Sequence, residues 1–255
     1  MFKYFLCLLL TCSALYCNTT AQICHNADKT SNLFAGPIYR YTTLNANGIG
    51  HFNASEGGVQ IAYEYLKLGS FYAKVGFECE FGTLHDGSNK IGQQDYDFTA
   101  LIGYVANWGE RRPWVIPFVG YGYYLIKEHL QISGYASQHY AYKLPYLPLG
   151  FSLLFKTTPY LTIGVNYQYQ WYFDPYVTIR SLTGSAWKLE YSAGQMVDLS
   201  FIYNWNPRFA LIVDPFYQLI HLGKSTAITG LGTPLGIQKQ VFQNVGLKAS
   251  LMYSF

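Results

Sequence analysis

Residues 161–174, LTIGVNYQYQWYFD, alternate between apolar and polar side chains. A period of two residues is typical of a β-strand whose two faces meet different surroundings. The same alternation recurs in residues 71–82 and 241–255. A soluble antiparallel sandwich also alternates, but here the polar face of residues 71–82 carries Glu78 and Glu80 opposite an unbroken apolar face. The pattern therefore predicts strands with one face toward lipid and the other toward a lumen.

The composition excludes several other classes of protein. Of the 255 residues, 50% are hydrophobic, 18% aromatic and only 12% charged, which argues against intrinsic disorder. Five Cys are too few for a disulfide scaffold. The formal net charge of +3, from 17 basic and 14 acidic residues without a basic cluster, predicts no nucleic-acid partner. After the N-terminal segment, no apolar run reaches the roughly 18 residues that a transmembrane helix needs.

The N-terminus has the features of a signal peptide. Lys3 supplies a positive charge, residues 4–15 form an apolar core, and small residues precede a predicted cleavage after Ala21. A lipoprotein with Cys17 as acceptor is the alternative, although the bulky Tyr16 before it fits poorly. The predicted layout is a signal peptide at 1–21, a short periplasmic segment at 22–32 and a β-barrel at 33–255.

Ten alternating segments are separated by connections that alternate in length. The predicted strands are 33–42, 58–67, 71–82, 95–108, 114–128, 139–155, 161–174, 187–205, 209–221 and 241–255. The longer connections include 43–57, 83–94 and 222–240, which are rich in Gly, Asn and Ser. Short turns at one end and long loops at the other are typical of outer-membrane barrels. We therefore predict an all-β, transmembrane, antiparallel up-and-down β-barrel of about ten strands, located in the cell outer membrane.

Aromatic residues sort by the length of the nearest connection, as expected for the two girdles of a membrane barrel. Those beside the short turns or the C-terminus are Tyr65, Phe71, Trp108, Trp114, Tyr160, Trp205, Phe209 and Phe255. Those beside the long loops are Tyr41, Phe81, Tyr96, Tyr123, Trp171, Tyr191 and Tyr217.

The residues that alternate with the lipid-facing set predict an acidic lumen. The inward acids are Glu64, Glu78, Glu80, Asp97, Glu128, Asp174, Glu190, Asp198 and Asp214, and the inward bases are Arg40, Lys74, Lys188 and Lys248. These charges either pair across a narrow lumen, because unpaired buried charge is costly, or line a path for cations. Large inward rings predict a mostly filled lumen, since a barrel of this size leaves little room. The inward Gly120 and Gly122 are predicted to make space for a large neighbour or to permit bending.

The C-terminus resembles a known assembly signal. Tyr253-Ser254-Phe255 ends an alternating strand with an aromatic residue, and it is similar to the signal that the barrel-assembly machinery recognises in Gram-negative outer-membrane proteins. The resemblance implies the assembly machinery and outer-membrane lipids as partners.

The strand count and length more distantly resemble the omptin family of outer-membrane proteases. That resemblance implies a site at the extracellular mouth, with an Asp pair facing an Asp-x-His pair across the barrel. Asp95 and Asp97 have the first spacing and are predicted to point inward at the external end of their strand. Asp174 is followed by Tyr176 where the second pair needs His. The remaining candidates for a base are His129, His139 and His221; without one, the Asp pair is predicted to hydrogen-bond loops at the mouth or to hold a cation weakly.

These observations leave three functions open. The first is a surface structural or adhesion protein that binds host or surface ligands through loops 43–57 and 222–240. The second is a small cation-preferring channel, and the third is an omptin-like endopeptidase that loses activity on Asp97→Asn. The balance of residues favours a protein that is not an enzyme. No cofactor is predicted, and the histidines show no metal-ligand spacing, so no metal site is predicted either.

Overall fold

The computed structural model describes residues 29–46, 50–86, 89–106, 113–131, 138–179, 186–225 and 237–255. The predicted signal peptide and Trp108 lie outside the described residues. The strands are β1 Lys29–Ala46, β2 Gly50–Lys67, β3 Phe71–Asp86, β4 Asn89–Tyr104, β5 Trp114–Gln131, β6 Gln138–Lys156, β7 Leu161–Tyr172, β8 Tyr176–Ile179, β9 Ala186–Lys188, β10 Ala193–Asn204, β11 Phe209–Leu222 and β12 Gln240–Ser254. No helix among these residues is long and apolar enough to cross a membrane.

Ten of the strands close into a barrel. The order β5-β4-β3-β2-β1-β12-β11-β10-β7-β6 is completed by pairing of β5 with β6, and every pairing is antiparallel. The seam joins the first strand to the last, with Asn32 of β1 opposite Ser254 of β12. The prediction of an all-β up-and-down barrel of ten strands is confirmed. β1 begins at Lys29, so the last four residues of the predicted segment 22–32 belong to the barrel.

The two ends of the barrel are named by their connections. The inner end carries the turn at residues 68–70, the start of β1 and the end of β12, and the outer end is the opposite one, where β1 passes to β2 and β3 to β4. The predictions of long loops at 43–57 and 83–94 are wrong, because these residues lie mostly in strands. Their Asn, Ser and Gly content indicated loops, but above the membrane a strand has water outside and tolerates such residues.

Two predicted strands are interrupted near the outer end. Residues 161–174 are broken after Tyr172, because Asp174 adopts a left-handed backbone with φ of 49° and Pro175 has no N–H to donate. The chain resumes as β8, which pairs with β6, and β9 pairs with β8. The predicted strand 187–205 is likewise split into β9 and β10.

The two faces of the wall differ as the alternation predicts. Large apolar side chains such as Val59, Ile102 and Leu251 are exposed on the outside, where lipid would contact them. The girdle members Phe71, Tyr160, Trp205, Phe209 and Phe255 are exposed near the inner end, and Tyr41, Phe81, Trp171, Tyr191 and Tyr217 nearer the outer end; we call these sets the inner and outer girdles. The alternate residues of the strands are buried or partly buried inside the barrel.

Candidate functional site

The lumen contains a buried ion network centred on Arg40 of β1. The side chain of Arg40 is 2% exposed, and its guanidinium contacts the carboxylates of Glu56 and Asp95 directly. A third carboxylate, that of Glu80, lies 3.1 Å from Nη1. One guanidinium thus faces three carboxylates in the interior, and the planar fork of Arg suits this multiple pairing better than the point charge of Lys.

Strand register brings these residues together. Arg40 lies directly opposite Glu56 on the neighbouring β2. Glu80 of β3 lies opposite Asp95 of β4 in the same way. Because all four point inward from adjacent strands, their side chains converge although they are up to 55 positions apart in the chain. Glu56 was not among the predicted lumen charges, since it fell within the predicted loop 43–57.

Neighbouring polar groups extend the network. Tyr124 Oη donates to Asp95 Oδ2 at 2.7 Å and accepts from Arg40 Nη1 at 3.2 Å. Gln93 Nε2 donates to Asp95 Oδ1 at 3.0 Å. Within the described residues, the second carboxylate oxygens of Glu56 and Glu80 are buried and have no hydrogen-bond partner. The network is therefore held together at Arg40, while its carboxylates retain unused acceptor capacity.

Other predicted lumen charges occupy separate places along the wall. Lys248 Nζ lies 2.5 Å from Glu78 Oε1 and 5.1 Å from the centre of the Phe216 ring. Lys74 lies over the ring of Phe34, at 5.1 Å. The remaining ones are Glu64, which accepts from Asn32; Glu128, which is 6% exposed; Asp198, which accepts from Asn166; and Asp214, which has a buried oxygen without a partner.

Two apolar clusters occupy other parts of the lumen. A large cluster toward the outer end includes Tyr124, Tyr146, Tyr172 and Phe242, all buried. A smaller one toward the inner end is built around Tyr72, Leu101, Ile116 and Phe118. Within the described residues, apolar side chains therefore pack the lumen above the Arg40 network, toward the outer end, and a smaller apolar cluster lies below it.

The predicted catalytic carboxylates do not form an omptin-like site. Asp95 and Asp97 point inward as predicted, but they lie in the middle of β4 rather than at the mouth, because β3 and β4 continue beyond them. Asp97 accepts a hydrogen bond of 2.8 Å from Tyr146 Oη, and Asp95 is held by Arg40. Both carboxylates are thus engaged by side chains inside the lumen rather than by loops at the mouth.

Asp174 does not face the lumen. Its side chain is 72% exposed and pairs with Lys188 at 2.6 Å, and Glu190 is likewise exposed and pairs with Lys224. The prediction that Asp174, Lys188 and Glu190 point inward is wrong, because the break after Tyr172 resets the alternation there.

No described histidine joins the two carboxylates. The described histidines, namely His51, His85, His129, His139 and His221, alternate with inward residues and lie on the outer face of the wall. The part of the chain that the structure describes therefore contains no imidazole placed to act as a base on a water molecule beside Asp95 or Asp97.

No family model and no curated protein matches the chain. Among solved structures, it is similar to the outer-membrane protease OmpT from Escherichia coli, with a TM-score of 0.56 and 11% identity over 89% of this chain and 96% of that one. It is also similar to the translocator domain of the autotransporter NalP from Neisseria meningitidis, with a TM-score of 0.50 and 11% identity over 97% of this chain and 93% of that one. The fold is that of the outer-membrane β-barrels. At such identities the likeness concerns the fold alone.

Proposed function

We propose that the protein is an integral outer-membrane barrel, exported by its signal peptide, that acts at the cell surface as a structural or adhesion protein. The observation that supports this most is the packing of large side chains in the lumen. Apolar layers on both sides of a buried ion network leave the wall and the outer end, rather than the lumen, as the surfaces available for function.

The outer end offers a surface suited to recognition. β5 continues from Tyr123, which was predicted to belong to the outer girdle, to Gln131, and at about 3.3 Å per residue and a tilt near 40° it projects roughly 20 Å past Tyr123. Beyond Leu125, its outward residues are polar or cationic, for example Lys127 and His129. A groove of about 950 Å³ on this outer wall is lined by these two residues and by Gln94, among others.

Conductance of refolded protein in a planar bilayer tests the closed lumen. We expect no discrete single-channel events in potassium chloride, because the side-chain layers exclude a continuous water path. Stable channels in the wild-type protein would contradict a surface structural role.

A loop excision tests adhesion without damaging the barrel. Ser225 N donates to Ile237 O at 2.9 Å, and Ile237 N donates to Ser225 Oγ at 2.7 Å, so the base of the connection is held by these two residues. Replacing residues 226–236 with a short Gly-Ser linker therefore removes most of the predicted loop 222–240 and leaves the strands. Cells that display the protein should bind immobilised heparin, fibronectin or laminin, and the excision should reduce that binding at equal surface amount. Absence of binding to all three would remove the support for adhesion.

A cation-preferring channel is the second candidate. It is favoured by the acid excess of the lumen, where the Arg40 network alone places three carboxylates around one base. If channels are observed, Glu78→Gln with Glu80→Gln should lower potassium over chloride selectivity. Unchanged selectivity would show that these carboxylates do not line the path.

A further inference from the structure

Two histidines meet across the hairpin at the outer end. His129 of β5 lies directly opposite His139 of β6, and their Nδ1 atoms are 3.0 Å apart. The ring centres are 4.1 Å apart with an interplanar angle of 69°. The two residues are ten positions apart in the chain, so no metal-binding spacing showed in the sequence, and only the strand pairing brings them together.

We propose that His129 and His139 form a surface site for a transition-metal dication of the Cu²⁺, Ni²⁺ or Zn²⁺ class. Metal–nitrogen bonds of about 2.0–2.1 Å with angles from 90° to 109° place two ligand nitrogens roughly 2.8–3.4 Å apart. The observed separation of 3.0 Å falls inside that interval. With each neutral ring protonated at Nε2, both Nδ1 lone pairs are free to converge on one ion.

The surroundings suit a labile site. His139 is exposed, and both rings line the groove on the outer wall, so water has access to the remaining coordination positions. Lys127 is paired with Gln94 of β4, and Tyr96 is the next outward residue of β4 in the direction away from the outer end. The ammonium of Lys127 lies over the Tyr96 ring at 5.1 Å and is thus directed away from the imidazoles. The described residues provide no third His, Cys, Asp or Glu at this place. Imidazole ligands select these metals over Ca²⁺ and Mg²⁺.

Cu²⁺ and Zn²⁺ titrations of the refolded mature chain in detergent micelles test the site. A background with Cys24→Ser and His25→Asn removes the thiol and imidazole near the mature N-terminus. We expect one equivalent of Cu²⁺ whose electron paramagnetic resonance spectrum shows coupling to two imidazole nitrogens. Zn²⁺ affinity, measured by competition with a chromogenic chelator, should fall at least tenfold on His129→Asn or His139→Asn.

Two other outward histidines provide matched controls. His85→Asn and His221→Asn should bind both metals as the parent does, and all variants should share its far-ultraviolet circular dichroism spectrum. Unchanged Zn²⁺ affinity in the double variant of His129 and His139 would overturn the proposal. So would a Cu²⁺ spectrum with coupling to a single nitrogen.

Discussion

Arg40 is the residue on which the interior depends most. Its guanidinium is the shared partner of Glu56, Glu80 and Asp95, and all four side chains are buried. Removing one partner of a buried ion pair is strongly destabilising, because the remaining charge has lost its compensation. We predict that Arg40→Met lowers the free energy of unfolding by about 3–5 kcal/mol, measured by urea titration of the protein refolded into phospholipid vesicles.

The rescue and the control separate charge from packing. Neutralising the three acids in the same chain, with Glu56→Gln, Glu80→Gln and Asp95→Asn, should restore most of the lost stability. Lys188→Met breaks the exposed pair with Asp174 and should cost less than about 1 kcal/mol. Equal losses for Arg40→Met and Lys188→Met would show that the network does not hold the interior.

The sequence predicted part of this network. Alternation placed Arg40 and Glu80 on the inward face correctly, because side-chain direction in a strand is a local property. It did not reveal Glu56 or the pairing of Arg40 with Asp95, since contacts between strands depend on register, which one strand alone does not determine. The alternation of Phe52 and Ala54 continues to Glu56 and was the available signal.

At the scale of strands, glycines let large rings lie flat against the inner wall. Gly122 of β5 lies opposite Tyr146 of β6, and a Cβ at Gly122 would lie 2.0 Å from Cζ of the ring. Hydrogen bonds of Tyr146 Oη with Asp97 and Thr99 hold the ring in this position. The space that the sequence predicted beside Gly122 is therefore filled by Tyr146.

We predict that Gly122→Ala lowers the unfolding free energy by about 1–3 kcal/mol, since overpacking displaces the ring and strains its hydrogen bonds. Combining it with Tyr146→Ala should cost less than the sum of the two single changes, as a double-mutant cycle in vesicles measures. Gly57→Ala is the control: no atom of the described residues lies within 4 Å of a Cβ there, so its stability should stay within about 0.5 kcal/mol of wild type. Additive losses would contradict the predicted contact.

Strand ends were harder to predict than strand cores. Residues 43–57 and 83–94 were assigned to loops from their composition, whereas the chain keeps its ladder to Ala46 and Asp86. Above the membrane both faces of a strand meet polar groups, so the alternation of apolar and polar residues is lost there. Backbone pairing between the strands does not need this alternation and continues. The break at Asp174 was missed for the opposite reason, because alternation continues up to it in the sequence.

For the whole molecule, closure of the barrel joins the first strand to the last at the inner end. Phe255 N donates to Ser31 O at 3.0 Å, and the Phe255 ring lies 5.9 Å from that of Tyr253. The side chain of Phe255 is 68% exposed, so it contributes little to the packed interior. Its role is thus best sought in assembly, as the resemblance of the C-terminus to the assembly signal implies.

We predict that Phe255→Ala reduces the amount of folded barrel in the outer membrane severalfold, measured by surface labelling of intact cells. The unfolding free energy of the refolded variant should change no more than that of Phe71→Ala, because both remove one exposed ring of the inner girdle. Phe71→Ala, which leaves the C-terminus intact, should reach the membrane at wild-type amounts. Equal surface amounts of both variants would show that the terminal ring is only a lipid contact. If Phe255→Ala, but not Phe71→Ala, also lowered the unfolding free energy, the Phe255 ring would instead be assigned a stabilising role at the seam between β1 and β12.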